Sequence, residues 1–181
     1  KISGHGFQKT LIFKILMIPY GKQEINNEDI ESIIKVLKSD FLTQGPCVPL
    51  FEKEITTKVG AKYGIAVNSA TSALHIACMS LNLKPGDWLW TSPITFVASA
   101  NCGVYCGANI DFVDIDPVTF TLCPVELEKK LVSAEAKGKL PKIVIAVHLA
   151  GQSCNMEKIF NLSKRYDFKV IEDASHAIGA K

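Results

Sequence analysis

Three short segments carry side chains whose types and spacing suit one kind of chemistry. In NSATSALHIA, residues Asn68, Ser69, Ala70, Thr71 and Ser72 stand between an apolar run and a helix-like one. Backbone N–H groups at a helix start, backed by the positive end of the helix dipole, favour an anion, and Thr71 and Ser72 add hydroxyls that suit a phosphate. In TSPITFVASAN, Phe96 follows Pro93 and Ile94 just past a second apolar run, where its ring could lie flat on a planar ligand. In EDASH, Glu172 and Asp173 close the β-branched run KVI, and His176 comes three residues after Asp173. Each segment also has a bland reading. NSATS makes an ordinary N-cap, Phe96 a core phenylalanine, and EDASH a pair of capping acids with a histidine at the core edge.

Taken together they are more specific, because in chain order they supply a phosphate cradle, a ring platform and an acid. Pyridoxal phosphate needs those three things. Its pyridine nitrogen must stay protonated for the ring to act as an electron sink, and a fixed carboxylate favours that charged form. Other phosphate and dinucleotide signatures are absent. The sequence contains no GxGxxG and no GxxxxGK[ST], which speaks against a Rossmann-type oxidoreductase or a P-loop enzyme.

The elements that would position these residues alternate. Asn26 or Asn27 can cap a helix with apolar positions Ile30, Ile33, Ile34 and Leu37. SDFLTQGPCVP interrupts it, since Gly45, Pro46 and Pro49 forbid a continuous helix. A second helix is expected from about Pro49 to Val59, ending at Gly60. Beyond it, GIAVNS, WLWTS, NIDFVDID, KIVIAVHLAG and FKVIEDA read as strands. TSALHIACMSLNL, TFVASANCGVYC, PVELEKKLVSAEAK and NMEKIFNLSKRY read as helices. Short apolar strands alternating with helices of about a dozen residues predict an α/β fold, a parallel-rich, doubly wound sheet with helices on both faces. Such sheets bind ligands beyond the carboxyl ends of their strands, and the three chemical segments stand there.

Beyond these separate signals, IPYGKQEI, LKSDFLTQGPCVPLFE, NSATSALHIA, TSPITFVASANC, DFVDID, HLAGQSCNM and IEDASHAIGA together resemble the sugar-nucleotide aminotransferases. These are pyridoxal phosphate enzymes with the aspartate aminotransferase-like (fold-type I) architecture. The nearest branch forms UDP-4-amino-4,6-dideoxy-N-acetyl-β-L-altrosamine, an intermediate of pseudaminic acid synthesis. The resemblance runs from about Met17 to Lys181. It implies that Ala70 and Thr71 hold the cofactor phosphate with help from Ser72, that Phe96 stacks on the ring, that Asp173 binds the ring nitrogen, and that His176 lies near the ring oxygen. Tyr20, Asp40, Phe41, Leu42 and Thr43, together with Ala70, match positions lining the sugar-nucleotide pocket. Amino transfer from L-glutamate to a UDP-4-keto-6-deoxy sugar, a homodimer at full length, and no nucleic-acid or membrane partner are implied as well.

The family's Schiff-base lysine, in a Ser-Phe-His-x-x-Lys stretch downstream of EDASH, has no match here. The expectation is therefore that residues 17–181 form the N-terminal part of the cofactor-binding large domain, truncated, with the C-terminal domain absent. On that expectation this polypeptide alone is inactive. The alternatives are an inert fragment, or a related sugar dehydratase that carries histidine in place of the lysine. Residues 1–16 contain no methionine, while Met17 opens MIPYGKQ, so 1–16 are expected to be a non-native or disordered extension.

The bulk numbers agree with a soluble α/β chain. Of 181 residues, 48% are hydrophobic and 21% charged, and the net charge is +2. Lys1, Lys9 and Lys14 supply that excess, and from residue 17 on the balance is 17 basic against 18 acidic side chains. No basic face for nucleic acid follows from such a balance. LIFKILMI is too short to span a bilayer and carries Lys14. The six cysteines form no CxxC and the four histidines no HxxxH or HExxH, so no metal site is expected. Unpaired cysteines suit a reducing cytoplasm.

Overall fold

A computed structural model describes residues 23–180, and the expectations for residues 1–16 and for Tyr20 lie outside them. The chain divides into two compact units, Lys1–Val48 and Pro49–Lys181.

In the first unit, helix α1 spans Asn27–Leu37. Asn26 caps it with a reciprocal pair: the Asn26 side chain accepts from the Asp29 N–H at 3.0 Å, and the Asp29 carboxylate accepts from the Asn26 N–H at 2.9 Å. The apolar stripe read from the sequence is there, but Ile30, Ile33, Ile34 and Leu37 are all exposed. Helix α2, Cys47–Val59, crosses into the second unit. Gly60, at φ +69°, ends it as expected, in a conformation that glycine adopts without strain.

The second unit is a three-layer α/β/α sandwich. Its sheet holds β1 (Trp88–Thr91), β2 (Asn109–Phe112), β3 (Ile143–Val147) and β4 (Lys169–Asp173) in the order β2-β1-β3-β4. Every pairing is parallel. Parallel strands buried on both faces read as continuous apolar runs, and β3, IVIAV, is buried along its whole length.

One face of the sheet is covered by α3 (Ala70–Ser80) and α4 (Ala98–Tyr105). There Leu74, Cys78, Ala98 and Cys102 pack on Leu89, Ile143, Ile145 and Val147. The small side chains of α4 let it lie close to the strands. A Cβ at Gly103 would stand 2.5 Å from Ile110 Cδ1 and 3.2 Å from Leu89 Cβ. The other face is covered by α5 (Pro124–Glu135) and α6 (Met156–Tyr166). Leu127, Leu131, Ile159 and Tyr166 pack there on Trp90, Val144 and Ala146. The apolar positions of α5 fall at i, i+4 and i+7 (Leu127, Leu131, Ala134), the spacing of one helical face.

Two predicted strands differ. GIAVNS is not a strand: no described strand pairs with it, and Ile65 is 79% exposed. An apolar run without a ladder partner cannot satisfy its backbone as a strand. NIDFVDID stops at Phe112, because Asp114 and Asp116 turn their carboxylates onto the N–H groups of Ile115, Val118 and Thr119.

Chain order reverses between β1 and β3, since β2 lies on one side of β1 and β3 on the other. The crevice outside the carboxyl ends at such a reversal is where open α/β sheets bind ligands. Thr91 Oγ1 ties the two strands together across it, donating to Ile145 O at 3.2 Å.

Candidate cofactor site

Asp173 is the last residue of β4 and is only 9% exposed. Its Oδ1 accepts from the Ser175 hydroxyl at 2.6 Å and from the Ser175 N–H at 3.2 Å. Its Oδ2 accepts from Ser99 Oγ on α4 at 3.2 Å. Every neighbour donates, and a carboxylate has about four lone-pair directions, so Oδ2 keeps one acceptor position open. The acid is thus held in place without being saturated. The side chains that hold this aspartate are two serines. Ser175 is a short local turn contact. Sequence reasoning does not single out Ser99, whose only signal is a hydroxyl among the mostly small side chains of VASANC.

Phe96 stands between β1 and α4 and is 70% exposed, which removes the core-phenylalanine reading. It lies three residues before Ser99, and Thr95 Oγ1 is 3.1 Å from Ser99 Oγ. The segment presenting an open aromatic ring is therefore anchored to the hydroxyl that touches Asp173.

At the start of α3, Ser69 is the N-cap, and its hydroxyl accepts from the Ser72 N–H at 3.2 Å. Ser72 Oγ donates to Asn68 Oδ1 at 2.7 Å. Ser72 therefore has both its N–H and its hydroxyl engaged within the cap. The N–H groups of Ala70 and Thr71 belong to the first turn, which has no intrahelical acceptors, and they are the donors left for an anion. Helix α3 packs on both α4 and β4, which gathers the cap, the Phe96 segment and Asp173 onto one side of the sheet.

After β3 the chain makes a short 3-10 turn, Leu149–Gly151, with Ala150 at φ +53°. His176 Nδ1 accepts from the Ala150 N–H at 3.3 Å. A neutral imidazole in that role carries its proton on Nε2 and can donate from there. His148 is buried at the strand end. Its Nδ1 accepts from the Cys154 N–H at 3.1 Å, and its Nε2 lies 3.0 Å from Glu172 Oε2. Strand alternation sends Glu172 and Asp173 to opposite faces, so the two acids of EDASH do different work. The Cys154 thiol, buried beside His148, is pushed up from its ordinary pKa by that burial.

Asp40, Phe41, Leu42 and Thr43 form the exposed turn between α1 and α2. Ser39 Oγ orders it, accepting from the Phe41 N–H at 3.4 Å. Among the described residues no cluster of histidine, cysteine, aspartate or glutamate could hold a metal ion, and no helix is long and apolar enough to cross a membrane.

A doubly wound α/β domain whose strand ends carry an anion cradle, an open aromatic ring and a buried acid is of the class that binds pyridoxal phosphate. The residues fit that group: two free first-turn donors, an exposed ring face, and a carboxylate with one acceptor position left. Residues 23–181 match the DegT/DnrJ/EryC1/StrS aminotransferase family, and the chain belongs to it. Aminotransferases of this family use pyridoxal phosphate.

The spore coat polysaccharide biosynthesis protein SpsC of Bacillus subtilis is 40% identical over 161 residues, 89% of this chain and 40% of that protein. The UDP-4-amino-4,6-dideoxy-N-acetyl-beta-L-altrosamine transaminase of Campylobacter jejuni is 38% identical over 165 residues, 91% and 43% of the two chains. Among solved structures, the Helicobacter pylori aminotransferase PseC, involved in pseudaminic acid biosynthesis, superposes with a TM-score of 0.81 at 31% identity. That match covers 89% of this chain and 42% of that one. The chain thus spans about two fifths of the length of the curated relatives it matches.

Proposed function

We propose that this chain is the cofactor-binding portion of a sugar-nucleotide aminotransferase that moves an amino group from L-glutamate to a UDP-4-keto-6-deoxy sugar. The product would be UDP-4-amino-4,6-dideoxy-N-acetyl-β-L-altrosamine, in pseudaminic acid and polysaccharide biosynthesis. The observation that carries the reading is the Asp173 carboxylate, buried at a strand end, held by three donors and left with one acceptor position.

Pyridoxal phosphate, when bound, supplies the electron sink through which an amino group leaves one substrate and joins another. The chain's own residues take the following parts. Ala70 and Thr71 donate their N–H groups to the phosphate, and Ser72 keeps the cap that aims them. Phe96 fixes the ring plane and shields one face from water. Asp173 Oδ2 would accept a hydrogen bond from the ring nitrogen and so favour its protonated form. His176 donates from Nε2 toward the ring oxygen while its Nδ1 secures the loop after β3. The resemblance assigns Tyr20, Asp40, Phe41, Leu42, Thr43 and Ala70 to recognition of the sugar nucleotide. The reading includes a cytoplasmic homodimer at the length of the relatives, with residues 17–181 belonging to its large domain.

The test is an amine-transfer assay on the full reading frame containing this chain, with L-glutamate and several UDP-4-keto sugars. Amination of the UDP-4-keto-6-deoxy-N-acetyl sugar, lost on Asp173→Ala, is the expected result. Water elimination without amine transfer would replace the reading with a sugar dehydratase, and no turnover with any substrate would leave an inert fragment.

A further inference from the structure

A separate cavity, of about 220 Å³, lies on the α5 face of the sheet, over β1 and β2. Trp88 and Trp90 line it, two residues apart on one face of β1, the face that carries α5. Asp111 of β2, Lys130 of α5, and Lys137 and Lys139 from the turn after α5 complete the wall that matters here.

The three lysines are not equivalent. The Lys130 ammonium is engaged: it lies 2.7 Å from Asp111 Oδ1, donates to Phe112 O at 2.6 Å, and stands 5.2 Å over the Trp90 ring. Lys139 stands 5.6 Å over the Trp88 ring, and neither it nor Lys137 has a carboxylate partner among the described residues. One acid therefore faces three ammonium groups in a protein whose remaining charge is nearly balanced. The Trp90 indole N–H behind this wall is buried with no acceptor, adding a further unanswered positive dipole. Lysine stems commonly cover indole rings on a surface. Covering alone does not call for a cavity or for two ammonium groups without counterions at its mouth.

We propose that this cavity is a binding site for a single-ring phosphate ester, separate from the cofactor site. The half-buried Trp88 ring takes the ring of the ligand, the buried Trp90 backs it, and Lys137 and Lys139 take its phosphate. The cavity is smaller than the roughly 300–1,000 Å³ typical of drug-sized ligands, which restricts the occupant to one ring with its anion. Ammonium groups hold phosphate as point charges, so binding weakens with added salt.

The chain contains two tryptophans, Trp88 in the wall of this cavity and Trp90 buried behind it, so a saturable, ligand-dependent change in intrinsic fluorescence reads out on this region. Fluorescence titrations with glucose 6-phosphate and with phenyl phosphate separate a pyranose from an aromatic occupant, and inorganic phosphate and glucose are the references. The expected result is a saturable change with one ester at millimolar concentration or below, about tenfold tighter than with inorganic phosphate. Replacing both cations, Lys137→Ala with Lys139→Ala, should weaken binding about tenfold or more while far-UV circular dichroism is unchanged. These side chains are exposed, so the variant keeps its core. Three results would overturn the proposal: no saturable change with either ester, equal affinity for inorganic phosphate, or undiminished binding in the double variant.

Discussion

Replacing Asp173 by asparagine changes one atom and removes one charge from the candidate site. The amide oxygen can keep the two Ser175 contacts now made to Oδ1, at 2.6 and 3.2 Å. The amide nitrogen would face Ser99 Oγ, now a donor at 3.2 Å. That hydroxyl has an alternative, since it lies 3.1 Å from Thr95 Oγ1 and can donate there while accepting from the amide. The hydrogen bonds can therefore be rearranged rather than lost, and stability should fall by no more than about 1 kcal/mol. Ligand binding is different. An amide N–H₂ cannot accept from a protonated ring nitrogen, so a charge-assisted hydrogen bond worth about 1.5–3 kcal/mol disappears. That corresponds to a roughly ten- to 150-fold weaker dissociation constant. Pyridoxamine 5′-phosphate is the suitable probe, because it forms no imine with surface lysines. Calorimetric titration of the parent chain and of Asp173→Asn, with urea unfolding as the stability control, measures both quantities. Equal affinity in the two proteins would refute the role given to Asp173. A stability loss above about 2 kcal/mol would refute the rearrangement among Thr95, Ser99 and residue 173.

Phe96→Ala should leave unfolding free energy within about 0.5 kcal/mol, because the ring is already largely in water, while weakening pyridoxamine 5′-phosphate binding about two- to tenfold. Unchanged affinity by the same titration would remove the stacking role. Asp87 tests the electrostatics of the turn before β1. Lys142 donates to its carboxylate at 2.8 Å and, with the Lys84 N–H, holds it below the usual carboxylate range. A depressed folded pKa stabilises above the unfolded value of about 3.9, and the contribution is lost as pH falls through the folded value. Asp87→Asn should therefore lower stability by about 1 kcal/mol at neutral pH and converge with the parent in urea unfolding as pH falls through the depressed carboxyl value; a gap that stays constant as the solution is acidified would contradict this.

Much of this protein was legible locally. Asn26 and Asp29 specify the start of α1 through side chains three residues apart, and Gly60 ends α2 because it accepts a positive φ. The runs in WLWTS and KIVIAV show β1 and β3, because strands buried on both faces have no polar side to mark, and the β-branched pair Val170 and Ile171 in KVIED shows the half-buried edge strand β4. The placing of an acid, an aromatic ring and a helix cap at strand ends was also readable, since the alternation of elements fixes which end is which. What the sequence could not settle depends on partners distant in the chain. Ser99 and Asp173 meet across 74 residues, and nothing in VASANC says that its hydroxyl will find a carboxylate. GIAVNS has the side chains of a strand, but a strand exists only with a neighbour to complete its hydrogen bonds. Whether Phe96 is core or platform, and which of Thr71 and Ser72 has its N–H free, were decided by packing and by hydrogen-bond competition, which act only once the chain has folded.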